Sequence, residues 1–443
     1  MKLLHVPFCF YPDPVGGTEI YVEGLAREQQ WRGDTVVVAA PAEEDATYRH
    51  DGLRVRRFAV NPNVSGPREL YGEGDPHAAA AFARILDEER PAVVHLHAFT
   101  PAISLRLVHE VKRRDIPMVF SYHTPTVSCQ RGTLLRWGSE ICDGVLSVRA
   151  CARCTLHAHG LAKTASIVAG SLPPAMGHLL AGFGASGGLW TALRMTELVE
   201  LRRAAFHTLM READHVVALC QWVKDLLLRN GVPEDKVTVS RQGVQPEIPA
   251  RAIRTESANL RIAFLGRLHP TKGVHILIEA LRRDPQLPVR LDIFGVAQGE
   301  ADQSYGQQLA KLAAGDARIA FHAPIPNGQV VERLQEYDLL AVPSQWLETG
   351  PMVVLEAFAA GIPVGGSNLG GIAELVEHGV NGLLLDPASP EGWAEALRRL
   401  TRDPALLATL RSGIRPPRTM RDAAAELNAI YGQVARKFAA VAG

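Results

Sequence analysis

The chain has no apolar run that approaches the length needed to span a bilayer. It has no charge bias either: 47 basic residues balance 47 acidic ones over 443 positions, which argues against bulk nucleic-acid binding. Its opening, Met1-Lys2-Leu3-Leu4-His5-Val6-Pro7-Phe8, is too short and too strand-like for a secretory signal. A soluble cytoplasmic protein is therefore expected, touching a membrane only peripherally, at its inner face. No Asp-x-Asp pair is present to hold a divalent ion at a phosphate, so no catalytic divalent metal is expected. Cysteine is scarce, six in all, which makes any grouping of them notable.

What is present is globular: 47% of residues are hydrophobic, and the length is too great for one core, so two domains of about 200 residues each are expected. The stretch from Pro343 to Ala357 organises the rest. Asp338-Leu339-Leu340-Ala341-Val342 reads as a buried parallel strand. Met352 to Ala360 is apolar nearly all round and stops at Gly361, which reads as a buried helix with Pro351 at its first position. Strand, loop and helix leave the backbone N–H groups of Gly350, Met352 and Val353 to receive an anion, usually a phosphate. Glu348 in the loop and Glu356 in the helix would repel that anion unless each held neutral donors, and vicinal sugar hydroxyls suit a carboxylate. The plainer alternative makes Glu348 a helix cap and Glu356 a solvated charge. The apolar neighbours Val354, Leu355, Ala357 and Phe358 argue for function, because an unpaired buried carboxylate is costly.

These residues carry a resemblance. Glu-x7-Glu within Pro-Ser…Glu…Glu-Ala-x-Ala-x-Gly-x-Pro-Val, then Gly370-Gly371-Ile372-Ala373-Glu374 and Gly379-Val380-Asn381-Gly382, is similar to the retaining family 4 glycosyltransferases, which act in bacterial cell-surface glycan or glycoconjugate synthesis. The resemblance covers nearly the whole chain and is most specific from about residue 260 to 387. It implies the GT-B fold: an α/β protein of two Rossmann-like, doubly wound domains facing each other across a cleft. One departure is Glu348-Thr349-Gly350-Pro351, where the family commonly has Glu-Gly-Phe-Gly; Pro351 removes one N–H from the loop.

The first domain is expected over residues 1–245. Strand Leu3–Val6, the turn Gly16-Gly17, a helix capped by Thr18 with Ile20, Val22, Leu25 and Ala26 inward, and strand Thr35–Ala40 form a βαβ opening. Most Gly-Gly turns only reverse the chain; in the family this pair faces the donor. Residues 92–97 and 117–123 read as strands, with His95 and His97 structural. His123 ends its strand where doubly wound folds place ligands, and the family has a histidine there near donor sugar and acceptor. Cys129, Cys142, Cys151 and Cys154 follow in an insert of about 125–160, spaced C-x12-C-x8-C-x2-C. Four thiols suit a tetrahedral structural zinc, ahead of an iron–sulfur cluster; reduced thiols or a labile disulfide are the alternatives. Residues 160–195, rich in Gly, Ala and Leu, read as acceptor-domain helices on the core; the sharper reading is a peripheral membrane or lipid-acceptor surface, but no long amphipathic stripe is visible.

A hinge is expected across Pro246, Pro249 and on to about Asn259, then a second domain over 246–415. Strand Leu260–Leu265 leads to Gly266-Arg267-Leu268-His269-Pro270-Thr271-Lys272-Gly273 and a helix Val274–Arg283. Arg267 and Lys272 bracket this turn as either solvated charges or an anion clamp. The resemblance implies the second: they hold the donor diphosphate and neutralise the leaving group in place of a metal ion. It also implies Glu356 on the ribose, Glu348 on the sugar, the base near Ala323–Ile325, and a helix of 416–443 crossing back to the first domain. The expectation is thus a retaining hexosyl- or related glycosyltransferase using a UDP- or GDP-linked sugar. Its catalytic residues would be His123, Glu348, Arg267 and Lys272. Donor contacts would come from Gly16, Gly17, Arg267, Lys272, Glu348, Gly350, Met352, Val353 and Glu356. The acceptor would be a glycan, a lipid-linked intermediate or a small metabolite. Two rivals are a GT-B nucleotide-sugar epimerase or hydrolase and a non-catalytic nucleotide-sugar-binding partner subunit.

Overall fold

The computed structural model describes residues 1–13, 16–64, 66–183, 187–245 and 258–442. The expected hinge falls almost wholly on 246–257, outside the described residues. The chain divides into two compact units, Met1–Arg241 with Ala423–Gly443, and Gln242–Asp422.

The first unit holds an eight-stranded sheet in the order Val237–Val239, His215–Ala218, Met118–Tyr122, Val93–Leu96, Lys2–Val6, Thr35–Ala42, Leu53–Ala59, Ala46–His50. All neighbours run parallel except the last pair, where Ala46–His50 lies antiparallel on Leu53–Ala59. The central strands are buried at every position, as a parallel sheet covered on both faces requires. Lys2–Val6 sits between Thr35–Ala42 and Val93–Leu96, so the chain's direction of winding reverses beside it. In open α/β sheets, ligands bind outside the strand ends at such a reversal.

The helix after the first strand is Gly17–Trp31, and Gly16 caps it rather than Thr18: the Gly16 N–H donates to Glu19 Oε2 at 2.9 Å. Glu19 and Tyr21 are buried while Ile20 is only partly so. Val22, Leu25 and Ala26 face inward as the sequence pattern expects; Ile20 alone departs, because a carboxylate that holds the turn takes a place an apolar residue would normally have. The cysteine-bearing insert is not plain loop. It contains a short antiparallel hairpin, Leu135–Arg136 with Glu140–Ile141, and a helix Val148–Ala158. From Ala423 on, the C-terminal helix Met420–Ala442 belongs to the first unit.

The second unit is a six-stranded, all-parallel sheet in the order Ile319–His322, Val289–Val296, Leu260–Arg267, Leu339–Val342, Val364–Ser367, Gly382–Leu385. Alternate residues of its central strand feed different cores. Ile262 and Phe264 join Leu277, Ile293 and the fully buried Trp393, whereas Ala263 joins Leu340, Val354 and Phe358 on the other face. The winding reverses between Leu260–Arg267 and Leu339–Val342, the two strands whose following loops carry Arg267, Lys272 and Glu348.

Candidate functional site

In the second unit, two loops meet at that reversal. The first makes a tight turn, Pro270–Lys272, and Gly273 enters the helix Val274–Arg283 at φ +72°. Only glycine fits there, because a Cβ would stand 1.9 Å from the Pro343 carbonyl oxygen. The Gln345 N–H donates to the Thr271 carbonyl at 2.7 Å, stitching the loops together. The second loop folds back on Gly370-Gly371: the Gly371 N–H donates to the Glu348 carbonyl at 2.7 Å, and a Cβ on Gly371 would lie 2.8 Å from that oxygen.

This close packing places Glu348, buried at 7% exposure, in reach of three donors. Lys272 Nζ and Ser344 Oγ lie 2.7 Å from its Oε1, and Trp346 Nε1 lies 2.8 Å away. Burial alone would raise the Glu348 carboxyl, but Lys272 and the hydrogen bonds outweigh it and hold the group below its ordinary value. Lys272 also stands 5.6 Å over the Trp346 ring. Arg267 ends its strand half-exposed, its Nε 3.4 Å from the buried Asp302 carboxylate. Asp302 in turn accepts from the Gln298 N–H at 2.9 Å.

The helix after this loop is Met352–Ala359, with Pro351 one place earlier than expected, as the cap, and no side chain capping it. Met352 and Val353 open its first turn and Gly350 precedes it. Glu356 lies one turn further on. Part of its surface stays accessible, yet the atoms crowded around it push its carboxyl from 4.5 up to about 7, with no offsetting charge.

The first unit holds the other expected residues. Glu19 fixes the Gly16-Gly17 turn. His123 is 5% exposed, and burial pushes its imidazole down to about 3. His97 Nδ1 lies 3.0 Å from His123 Nε2, and His97 Nε2 lies 2.9 Å from His5 Nδ1. His5 Nε2 lies 2.8 Å from Gln29 Oε1, while His95 bonds Tyr431 at 2.6 Å and Ser121 at 2.8 Å. His5, His95 and His97 are close enough to ligate one ion, but each of their ring nitrogens already has a hydrogen-bond partner, so the trio is a polar network. A cavity of about 770 Å³, lined among others by Cys9, Asp13, Ala42, Tyr48 and Arg57, opens at the C-terminal ends of the first strands.

The four clustered cysteines are all unpaired by disulfide and line one cavity of about 150 Å³. Cys151 and Cys154 share a face of the helix Val148–Ala158; Cys129 and Cys142 flank the hairpin. The Trp137 N–H points at Cys154 Sγ from 3.4 Å, and burial pushes Cys151 up to about 11. Among the described residues, the groups whose ligand atoms lie within 4.8 Å of one another are the histidine trio and Glu23, His50 and Asp51. The four sulfurs are not drawn together that closely.

Residues 16–243 match the glycosyl transferase 4-like domain family, and residues 250–415 match the glycosyl transferases group 1 family. The chain belongs to the family 4 glycosyltransferases of the GT-B fold. Curated relatives of this glycosyltransferase are D-inositol 3-phosphate glycosyltransferases. That of Corynebacterium glutamicum is 32% identical over 46% of this chain and 53% of its own length. That of Corynebacterium diphtheriae is 28% identical over 88% and 82%. The chain spans about half the length of the relatives it matches first. Among solved structures, the Anabaena protein Alr3699/HepE in complex with UDP and glucose shares 19% identity at a TM-score of 0.64 over 99% of both chains. Sucrose-phosphate synthase from Thermosynechococcus elongatus shares 18% at 0.66, over 98% and 99%. These likenesses establish the fold.

Ser344, Trp346, Glu19, Gln29 and His5 were not singled out from sequence as site-supporting residues. Ser344 and Trp346 flank Glu348 closely enough for their polar side chains to have suggested it. Glu19 holds Gly16 from three residues away, a local signal of a helix start, whereas Gln29 and His5 act across 24 residues or more and leave none. Among the described residues no helix is long and apolar enough to cross a membrane.

Proposed function

We propose that the protein transfers a sugar from a nucleoside-diphosphate donor to a hydroxyl acceptor with retention of anomeric configuration. The observation that carries this is the Lys272–Glu348 pair, set at a sheet reversal beside an uncapped helix N-terminus. The two charges satisfy each other. A diphosphate arriving at Lys272, Arg267 and the N–H groups of Gly350, Met352 and Val353 shares the ammonium, and Glu348 turns to sugar hydroxyls. Glu356 takes the ribose hydroxyls. The cations and the helix N-terminus stabilise charge on the departing phosphate, which takes the acceptor's proton on the same face. Gly16, Gly17 and His123 are the first unit's contacts to substrate. A UDP donor heads the list because the structurally similar HepE holds UDP and glucose; a polyol or sugar hydroxyl is the acceptor class that the curated relatives' names suggest.

Calorimetric titration of UDP, GDP and ADP tests the reading. One nucleotide should bind, more weakly to Arg267→Ala and Glu356→Ala. Failure of all three to bind folded protein would overturn the donor site, and a trapped glycosyl-enzyme would overturn the same-face route. Sugar release without any acceptor would favour the hydrolase or epimerase, and unchanged biological output from Glu348→Ala would favour a binding subunit.

Two finer readings rest on the first unit. The helices Lys163–Ala169, Pro174–Gly182 and Gly188–Leu193 do not bury their apolar residues: Phe183 is 80% exposed, Val168 and Leu189 72%, and Leu179 69%. No acidic residue stands between Asp143 and Glu197, whereas Arg149, Arg153 and Lys163 do; Arg194 is buried against Glu197 and adds no charge to the face. We read this face as a peripheral contact with an anionic membrane. Flotation with anionic but not neutral vesicles, lost in Phe183→Ser/Leu189→Ser, is the expected result. The shared cavity of the four cysteines supports a structural zinc that draws the thiolates together on binding. One zinc per chain, lost in Cys151→Ser/Cys154→Ser, is expected; metal-free native protein would refute it.

A further inference from the structure

The cavity of about 770 Å³ has the size of a small-ligand site and opens where such sites lie, outside the strand ends at the sheet's reversal. Every residue lining it belongs to the first unit. One wall is held firmly. Arg57, 7% exposed, donates from one terminal nitrogen to the Phe10 carbonyl at 2.9 Å, and from the other to the Pro41 carbonyl at 2.7 Å and the Asp13 carboxylate at 2.5 Å. Both terminal nitrogens are thus engaged within the protein, and its Nε is buried. The Tyr48 hydroxyl donates to the Tyr11 carbonyl, and the Tyr11 ring stacks on His50 with centroids 4.1 Å apart. The loop from Phe8 to Asp13 is therefore tied to the strands Ala46–His50 and Leu53–Ala59. Phe10 on this loop is fully buried, yet Phe8, at the cavity, stays 57% exposed. An anchored loop that holds a phenyl face open in a cavity is the usual make-up of a site for a ring-shaped ligand.

The lining is also lopsided in charge. Asp13, Glu43 and Glu44 stand against a single cation, Arg57, which Asp13 already pairs. The neighbouring Asp45 is matched by Arg84, whereas Glu43 and Glu44 are exposed and, among the described residues, make no ion pair. The Cys9 thiol on the wall registers this field: burial first, then the Glu19 and Asp13 carboxylates, push it up to about 12 against the pull of Arg57. The first unit's other buried arginines, Arg194 and Arg202, do not line the cavity. A phosphate offers mainly acceptor oxygens and would bring further negative charge to a wall with no unengaged cation. A neutral sugar or polyol suits it on both counts. Its hydroxyls donate to carboxylates, and its C–H face complements the negative face of the Phe8 ring. We propose that this cavity receives the sugar acceptor as an uncharged, hydroxyl-bearing ring stacked on Phe8, and that Glu43 and Glu44 exclude a phosphorylated one.

The word acceptor rests on the proposed sugar transfer; the binding and its charge preference do not. Saturation-transfer NMR on the full chain, with and without UDP, reads weak ligands directly. The probes are myo-inositol, methyl α-glucopyranoside and methyl α-mannopyranoside, each against a phosphate ester: D-inositol 3-phosphate, glucose 6-phosphate and mannose 6-phosphate. At least one uncharged probe should bind, and its ester should bind roughly tenfold more weakly at low ionic strength, a gap that narrows as salt is raised. Glu43→Gln/Glu44→Gln, changed at exposed positions, should shrink the gap to about threefold or less. Phe8→Ala should weaken the uncharged probe about fivefold or more, and Phe8→Tyr should restore it. An ester that binds as tightly as its uncharged partner, or more tightly, would overturn the charge preference. Probe binding unchanged in Phe8→Ala would overturn the placement, and no binding of any uncharged probe to folded wild type would overturn the site. Binding of an uncharged probe by a chain that takes up no nucleotide would count against sugar transfer and leave the cavity's preference standing.

Discussion

Glu356→Gln should make the second unit more stable above neutral pH and at the same time weaken nucleotide binding. Burial holds the Glu356 carboxyl at about 7 in the folded chain, against 4.5 ordinarily, with no cation offsetting it. A folded value above the unfolded one contributes fully below pH 4.5 and is lost as pH rises through 7. At about 1.4 kcal/mol per pH unit the ceiling on that loss is ~3 kcal/mol; because part of the residue's surface stays accessible, about 2 kcal/mol is expected. Glutamine has the same shape and no charge to desolvate. Denaturant unfolding of wild type and variant should therefore coincide near pH 4.5 and separate by about 2 kcal/mol at pH 8, roughly 4–8 °C in melting temperature. If the carboxylate receives the ribose hydroxyls, the same substitution should cost roughly 10–100-fold in UDP affinity, the worth of a charged hydrogen bond. Wild-type affinity should also climb as pH rises through 7. A stability difference that does not change between pH 4.5 and 8 would refute the claim that this carboxyl is desolvated. Unchanged UDP affinity would refute its role in the site.

Lys272→Met strands the buried Glu348 carboxylate and should destabilise by roughly 2–4 kcal/mol, most of it recovered in Lys272→Met/Glu348→Gln; additive losses in denaturant titrations would show that the two do not act as a pair. Gly273→Ala forces a Cβ against Pro343 at φ +72° and should cost about 2 kcal/mol or more, with loss of nucleotide binding in calorimetry. Burial pushes His5 down to about 4 and His123 to about 3, while both titrate near 6.5 when unfolded. Their depressed values mean that stability is present above pH 6.5 and is lost as pH falls toward 4, at about 2 kcal/mol per ring by pH 5. In a Glu356→Gln background, at least two protons should be taken up on unfolding at that pH, as read from the slope of stability against pH.

Legibility in the sequence followed range. Glu348, Glu356, Gly370 and Gly371 were readable because the chemistry repeats over short spacings: a strand, a turn that tolerates only glycine, a helix start, two carboxylates. The second unit's strands and its helix Val274–Arg283 follow from continuous apolar runs and glycine stops. Nothing local announced the rest. Asp34 and Asn428 meet across 394 residues and Gln29 reaches His5 across 24, so this hydrogen-bonded network exists only after the sheet and the C-terminal helix are in place. The apolar residues of 163–193 have no clean stripe because they are divided among three short helices, and their exposure could not be inferred from their order. His95 and His97 read as structural in the sequence, and in the fold each of their ring nitrogens has a hydrogen-bond partner. The partners could not be named from the sequence, because Ser121, Tyr431, His5 and His123 reach them from strands, a strand end and a helix that lie far apart along the chain.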